Sequence, residues 1–109
     1  METRDYQFNA RRTINTKSHD SEYAILNGAL GLCGEAGEVA DVIKKHLFQG
    51  HELDKAKIKD ELGDVLWYIS LLCDGIGYTM DEVMEKNIDK LRKRYPAGFD
   101  EAKSIHREE

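Results

Sequence analysis

The sequence is poor in the residues that would break it up or staple it. It has one proline, Pro96, near its C-terminal end, and two cysteines, Cys33 and Cys73, in 109 residues. A single late proline leaves the preceding stretch free for long helices, and no Ser/Gly-rich linker, charge block or repeat divides the chain. Two cysteines that form no Cys-x-x-Cys pair exclude a disulfide framework and a zinc ribbon, and read as reduced, core-filling thiols. The longest apolar stretch, Val65 to Cys73 interrupted by Ser70, is far below the roughly 20 residues of a membrane span. The Met1-Glu2-Thr3-Arg4-Asp5 start carries no signal-peptide pattern. Excess positive charge is also lacking: 16 Lys and Arg against 21 Asp and Glu give a net charge of -5, which repels phosphate backbones and argues against a nucleic-acid binder. These absences predict a single-domain cytoplasmic protein, 1–109, that contacts neither membrane nor nucleic acid.

What is present is helical periodicity. Tyr6 to about Thr16 reads as a short first helix, followed by a polar break at Ser18-His19-Asp20-Ser21. A second helix spans about Glu22 to Leu47, with Leu26, Leu30, Cys33, Ala36, Ala40, Ile43 and Leu47 at steps of three and four. It stops at Gln49-Gly50-His51. Asp54 is the N-cap expected for a third helix to about Cys73, carrying Ile58, Leu62, Val65, Leu66, Ile69, Leu72 and Cys73. Gly75 and Gly77 are expected to end it. Thr79-Met80-Asp81-Glu82 is a capping box that opens a fourth helix to about Arg94. The charged tail from Phe99 to Glu109 either forms a short helix or frays. The fold class is therefore all-α, a four-helix chain with a central antiparallel hairpin. The third helix is apolar nearly all round, more than one hairpin covers, which points to helical bundles across subunits of a dimer or tetramer.

Two acidic motifs stand out, Glu35-x-x-Glu38 and Glu61-x-x-Asp64. A spacing of three puts each pair on one helical face. Glu35 and Asp64, and likewise Glu38 and Glu61, are equidistant from the Gln49-Gly50 break, so a hairpin turning there brings all four acids to matching levels. Gly37 and Gly63 flank them and suggest close backbone approach; Gly28, Gly31 and Gly34 continue this helix-weakening usage upstream. Leu32, Val39, Val42, Ile58, Val65, Trp67, Tyr68 and Leu71 border the acids, unlike an open charged face. Carboxylates gathered in such surroundings repel unless a cation neutralises them. Hard oxygen ligands without a His or Cys partner favour Mg2+, with Mn2+ as substitute. A di-iron bundle would need Glu-x-x-His, which neither motif has. The plainer alternative is that these acids are solvated charge, with Lys57-Glu61 and Asp41-Lys45 as ordinary surface pairs.

Other chemistry finds little support. His19, His46, His51 and His106 form no metal motif, and the chain contains no Walker loop, dinucleotide fingerprint or nucleophile elbow. On the fourth helix Asn87, Lys90 and Arg94 make a polar stripe with Tyr95 beyond. This is either a basic helix end complementing the macrodipole or, beside a metal site, a phosphate clamp. Trp67, Tyr68 and Tyr6 are core aromatics or base-stacking residues.

At these residues the chain resembles the MazG-like pyrophosphohydrolases of the all-α NTP pyrophosphatase superfamily. The resemblance rests on Gly34-Glu35-Ala36-Gly37-Glu38-Val39-Ala40-Asp41, on Glu61-Leu62-Gly63-Asp64-Val65-Leu66-Trp67-Tyr68, and on Asn87-x-x-Lys90-Leu91-x-x-Arg94-Tyr95-Pro96. It covers about residues 5–99 in order. It implies hydrolysis of a nucleoside triphosphate to monophosphate and pyrophosphate, with Mg2+ held by Glu35, Glu38, Glu61 and Asp64. It further implies substrate contacts from Asn87, Lys90, Arg94 and Tyr95 and an obligate dimer or tetramer. Glu38 is the carboxylate expected to accept the proton of the attacking water. Narrower enzymatic alternatives are a dUTP or dCTP hydrolase or an alarmone hydrolase; the non-enzymatic alternative is a helical dimerisation module.

Overall fold

The computed structural model describes residues 1–106, apart from the side chains of Thr16 and Ser18. Five α-helices follow in order: α1 (Thr3–Arg11), α2 (Ser21–Phe48), α3 (Lys55–Ile76), α4 (Met80–Arg94) and α5 (Glu101–Ile105), with a 3-10 turn at Thr16–His19 between α1 and α2. The described residues contain no strand, as expected of an all-α chain. Local chemistry sets the ends. Asp20 accepts the Tyr23 N–H at 3.0 Å, Asp54 accepts the Lys57 N–H at 2.9 Å, and Thr79 and Glu82 form the reciprocal box that opens α4. Gly77 closes α3 at φ 79°, a left-handed conformation that costs glycine little.

Two boundaries differ from those read in the sequence, and the tail takes one of its two expected forms. Helix α1 lies upstream of the expected stretch because Asp5 caps the Glu2 N–H at 3.3 Å. Helix α3 runs through Gly75 to Ile76, so Gly77 alone ends it. The tail contributes the short α5, capped by Asp100; its last residues, 107–109, lie outside the described residues.

Helices α2 and α3 form an antiparallel hairpin that is the most extensive contact in the chain. A glycine face lets them close. A Cβ on Gly28 would stand 2.9 Å from the Leu72 Cβ and 3.1 Å from its backbone, and one on Gly31 would collide with the Tyr68 ring. From the other side, a Cβ on Gly75 would meet Ile25 and Ala24 at 3.0 to 3.2 Å. Gly37 and Gly63, expected to mediate the close approach, instead face open space. The packing glycines lie toward the open end of the hairpin, beyond the acids.

The intrachain core is correspondingly small, consisting of Ala10, Ala24, Leu71, Cys73 and Met80. The apolar stripe expected to form the core side of α2 faces outward: Leu26, Leu30 and Leu47 are 58%, 72% and 63% exposed, and Cys33 is exposed rather than core-filling. The side turned to α3 carries Ala24, Gly28, Gly31 and Glu35. On α4, Val83, Met84, Ile88 and Leu91 are also open to solvent. The chain presents 8428 Å² of accessible surface, against about 6,200 Å² for a folded monomer of its mass. Its radius of gyration is 17.0 Å, against about 13 Å for a compact chain of this length.

Gln7 ties α1 to the α3–α4 junction. Its amide is buried, donating to Asp74 Oδ1 at 2.9 Å and to the Tyr78 carbonyl at 3.3 Å, and accepting the Met80 N–H at 2.8 Å. Arg11 adds a two-pronged pair to Asp74 at 2.7 and 3.2 Å. Gln7→Ala leaves the buried Met80 N–H without its acceptor and is expected to lower stability by about 1–3 kcal/mol. Urea unfolding checks this, and an unchanged midpoint would remove Gln7 from its structural role.

Candidate metal and nucleotide site

The hairpin register puts Glu35 of α2 beside Glu61 and Asp64 of α3. Each of the three offers one carboxylate oxygen, and these oxygens all lie within 4.8 Å of one another. Glu61 is buried at 7% exposure, Glu35 is half-buried and Asp64 is exposed, so the group opens to solvent on one side. Glu38 stands one turn further along α2, exposed, at the margin of the group. Opposite charge enters from Lys57, whose ammonium lies 3.0 Å from Glu61 Oε1.

The electrostatics follow from this arrangement. The Glu35 carboxyl is held above its usual range, chiefly because it shares a hydrogen bond with Glu61, then through desolvation and the charges of Glu61, Asp64 and Glu38. Glu61 moves the other way, held down first by its hydrogen bond to Lys57 and then by Glu35. Lys57 is raised by the same contact. Of the two carboxyls, Glu35 therefore takes up a proton more readily than Glu61. A residue read in the sequence only as half of a surface pair, Lys57, supplies the compensating charge.

The donor set suits a hard divalent cation. It consists of carboxylate oxygens alone, clustered on the scale of about 4 Å that separates opposite ligands of an octahedral Mg2+. Their mutual repulsion, which raises Glu35, is what a dication would relieve.

Aromatic residues border the acids. Trp67, one turn beyond Asp64, donates its indole N–H to Thr13 Oγ1 at 2.8 Å. Tyr68 meets Trp67 edge to face, with centroids 5.1 Å apart, and its ring covers Gly31. The Tyr6 hydroxyl is raised by burial and then by the charge of Asp64. Of the predicted α4 residues, Asn87 and Lys90 are exposed, Arg94 is half-buried, and Tyr95 packs its ring on Phe99 at 5.4 Å. Helix α4 departs at the Gly77 turn and meets α1 and α3 far less extensively than α2 meets α3.

A cleft lined by Arg11, His19 and Asp74 lies at the start of α2, about 15 Å along α3 from Asp64 at 1.5 Å per residue. The sequence holds no motif that marks it.

The profile of the MazG nucleotide pyrophosphohydrolase domain matches residues 25–99, a span that contains all the clustered acids and the whole of α4. The chain belongs to the MazG nucleotide pyrophosphohydrolase family. Among curated proteins it is similar to the Gene 37 protein of Mycobacterium phage L5, with 36% identity over 73 residues that make up 63% of this chain and 64% of that one. The match thus spans somewhat less than two thirds of the relative's length. No solved structure is significantly similar to the chain. No helix among the described residues is long and apolar enough to cross a membrane.

Occupation of the site by a dication requires the Glu35 carboxyl to be ionised. Because the Glu35 carboxyl is raised, its stabilising effect is present at low pH and is lost as pH rises through its folded value. Glu61, held down, contributes the opposite: stability present above the ordinary carboxylate range and lost on acidification through its lowered value. Mg2+ binding is therefore expected to release a proton in the range where Glu35 is protonated, and none well above it. Calorimetry in buffers of different ionisation enthalpy measures this, and Glu35→Gln should abolish the pH-dependent release. A release that survives in Glu35→Gln would assign the proton elsewhere.

Proposed function

We propose that the protein is a Mg2+-dependent nucleoside triphosphate pyrophosphohydrolase, converting a ribo- or deoxynucleoside triphosphate to the monophosphate and pyrophosphate and so clearing surplus or non-canonical nucleotides in the cytoplasm. The observation that carries the reading is the convergence of Glu35, Glu61 and Asp64 from two helices within a chain of the MazG family. Glu35, Glu61 and Asp64, joined by Glu38, hold the ion. Bound Mg2+, or Mn2+ in its place, supplies neutralisation of the triphosphate charge and a lowered pKa for water at the site. Glu38, exposed beside the group, accepts the proton of the attacking water. Lys90 and Arg94 hold phosphate oxygens, Asn87 hydrogen-bonds the nucleotide, and Tyr95 borders it. No covalent intermediate is required, since the chain presents no nucleophile motif for one.

Pyrophosphate release from a panel of canonical and modified NTPs and dNTPs, with Mg2+ and with EDTA, tests this. Metal-dependent formation of monophosphate plus pyrophosphate is expected, and Glu38→Gln should abolish turnover while retaining nucleotide binding. Near-normal turnover in Glu38→Gln would remove its role. A panel without turnover in folded, metal-bound protein would contradict the reading and favour an alarmone substrate or a non-catalytic helical module.

The assembly proposed is a homodimer or homotetramer. Its support is the accessible area of 8428 Å², an excess of about 2,200 Å² over a compact monomer and enough for an interface of standard size. The outward leucines of α2 and the apolar residues of α4 account for much of that surface. Sedimentation equilibrium should give two or four chains, and Leu30→Glu should shift the species toward monomer. A wild-type monomer at micromolar concentration would refute the assembly.

A further inference from the structure

The indole of Trp67 is oriented from two sides and yet not enclosed. Its N–H donates to Thr13 Oγ1 at 2.8 Å. The Thr13 hydroxyl hydrogen is committed to the Ala10 carbonyl at 2.7 Å, so the oxygen presents its lone pair to the indole in one direction. Tyr68 holds the ring from beside it at an interplanar angle of 87°, and Tyr68 is itself seated on Gly31. Trp67 nevertheless remains only half-buried. A helical side chain leans back over the preceding turn, and the preceding turn here carries Asp64. The result is an indole fixed in orientation, partly open to solvent and adjacent to the acid cluster.

We propose that Thr13 is a positioning residue that sets the Trp67 indole as the platform on which the nucleotide base stacks. The proposal deepens the triphosphate reading and rests on it. Stacking on an aromatic face accepts any base, so the platform provides general affinity for nucleotides over bare polyphosphate, leaving base choice to other contacts. Thr13 lies outside residues 25–99 that match the family profile, so this device comes from the chain's own N-terminal segment, 54 residues away from the indole it holds.

Trp67 is the only tryptophan, so its fluorescence reports the platform directly. The probes are inorganic tripolyphosphate and the α,β-methylene analogues of dUTP and dATP, each titrated in Mg2+. All three should bind, and only the base-carrying analogues should quench the indole. Thr13→Val, which keeps the shape and loses the hydroxyl, should weaken analogue binding about tenfold, within the range of one base–aromatic stack, and leave tripolyphosphate affinity unchanged. In turnover it should raise KM with little change in kcat, and Thr13→Ser should behave as wild type. Equal quenching by tripolyphosphate and the analogues in the wild type would overturn the proposal without need of any variant. Wild-type analogue affinity in folded Thr13→Val would overturn it too, even with a shifted emission maximum, because the hydrogen bond would then be structural only. Failure of all three probes to bind in Mg2+ would overturn the triphosphate reading and this inference with it.

Discussion

The close approach of α2 to α3 is the constraint on which the other features depend. Gly28 and Gly31 admit Leu72 and Tyr68, and Gly75 admits Ala24 and Ile25. These contacts pair positions nearly equidistant from the Gln49-Gly50 turn and so set the register of the whole hairpin. With that register, Glu35 meets Glu61 and Asp64 rather than solvent. Each helical glycine costs about 1 kcal/mol in propensity, and here the packing of Leu72 and Tyr68 against bare backbone offsets it. A side chain at Gly28 would displace Leu72 backbone, and the acids at the other end of the contact would lose their alignment.

Placing three carboxylates together is electrostatically unfavourable in the chain alone, and the structure shows how the strain is contained. Lys57 neutralises Glu61, and the Glu35 carboxyl is held above its usual range by its acidic neighbours. A dication at this point would relieve the repulsion that Lys57 leaves. The energetic argument for the metal is this surplus of acid over base at one partly buried point, more than the presence of acids as such.

Much of this was legible in the sequence, and the exceptions share a cause. Asp54, the Thr79–Glu82 box and Gly77 are local signals, and the α3 and α4 starts lie where they place them. The acidic motifs could be brought together on paper because antiparallel hairpins pair residues symmetrically about the turn. Periodicity identified Leu26, Leu30 and Cys33 as one face but could not say what covers it, and in the single chain nothing on α3 does. The nearness of Gly37 and Gly63 to the acids is visible in sequence, whereas the side chains that meet Gly28, Gly31 and Gly75 are not. Lys57 looked like half of a surface pair, since an i, i+4 spacing says nothing of the burial of Glu61. The Gln7–Met80 and Thr13–Trp67 hydrogen bonds join residues more than 50 positions apart, beyond the reach of any local pattern.

The proposed function requires the clustered carboxylates to bind a divalent metal. Titration of the protein with Mn2+, followed by the loss of the free-ion electron paramagnetic resonance signal, measures this most directly. Saturable binding that Mg2+ displaces and that Glu61→Gln abolishes in folded protein is the predicted result. Binding no stronger than that of an ordinary acidic surface, or unaltered by Glu61→Gln, would contradict the account.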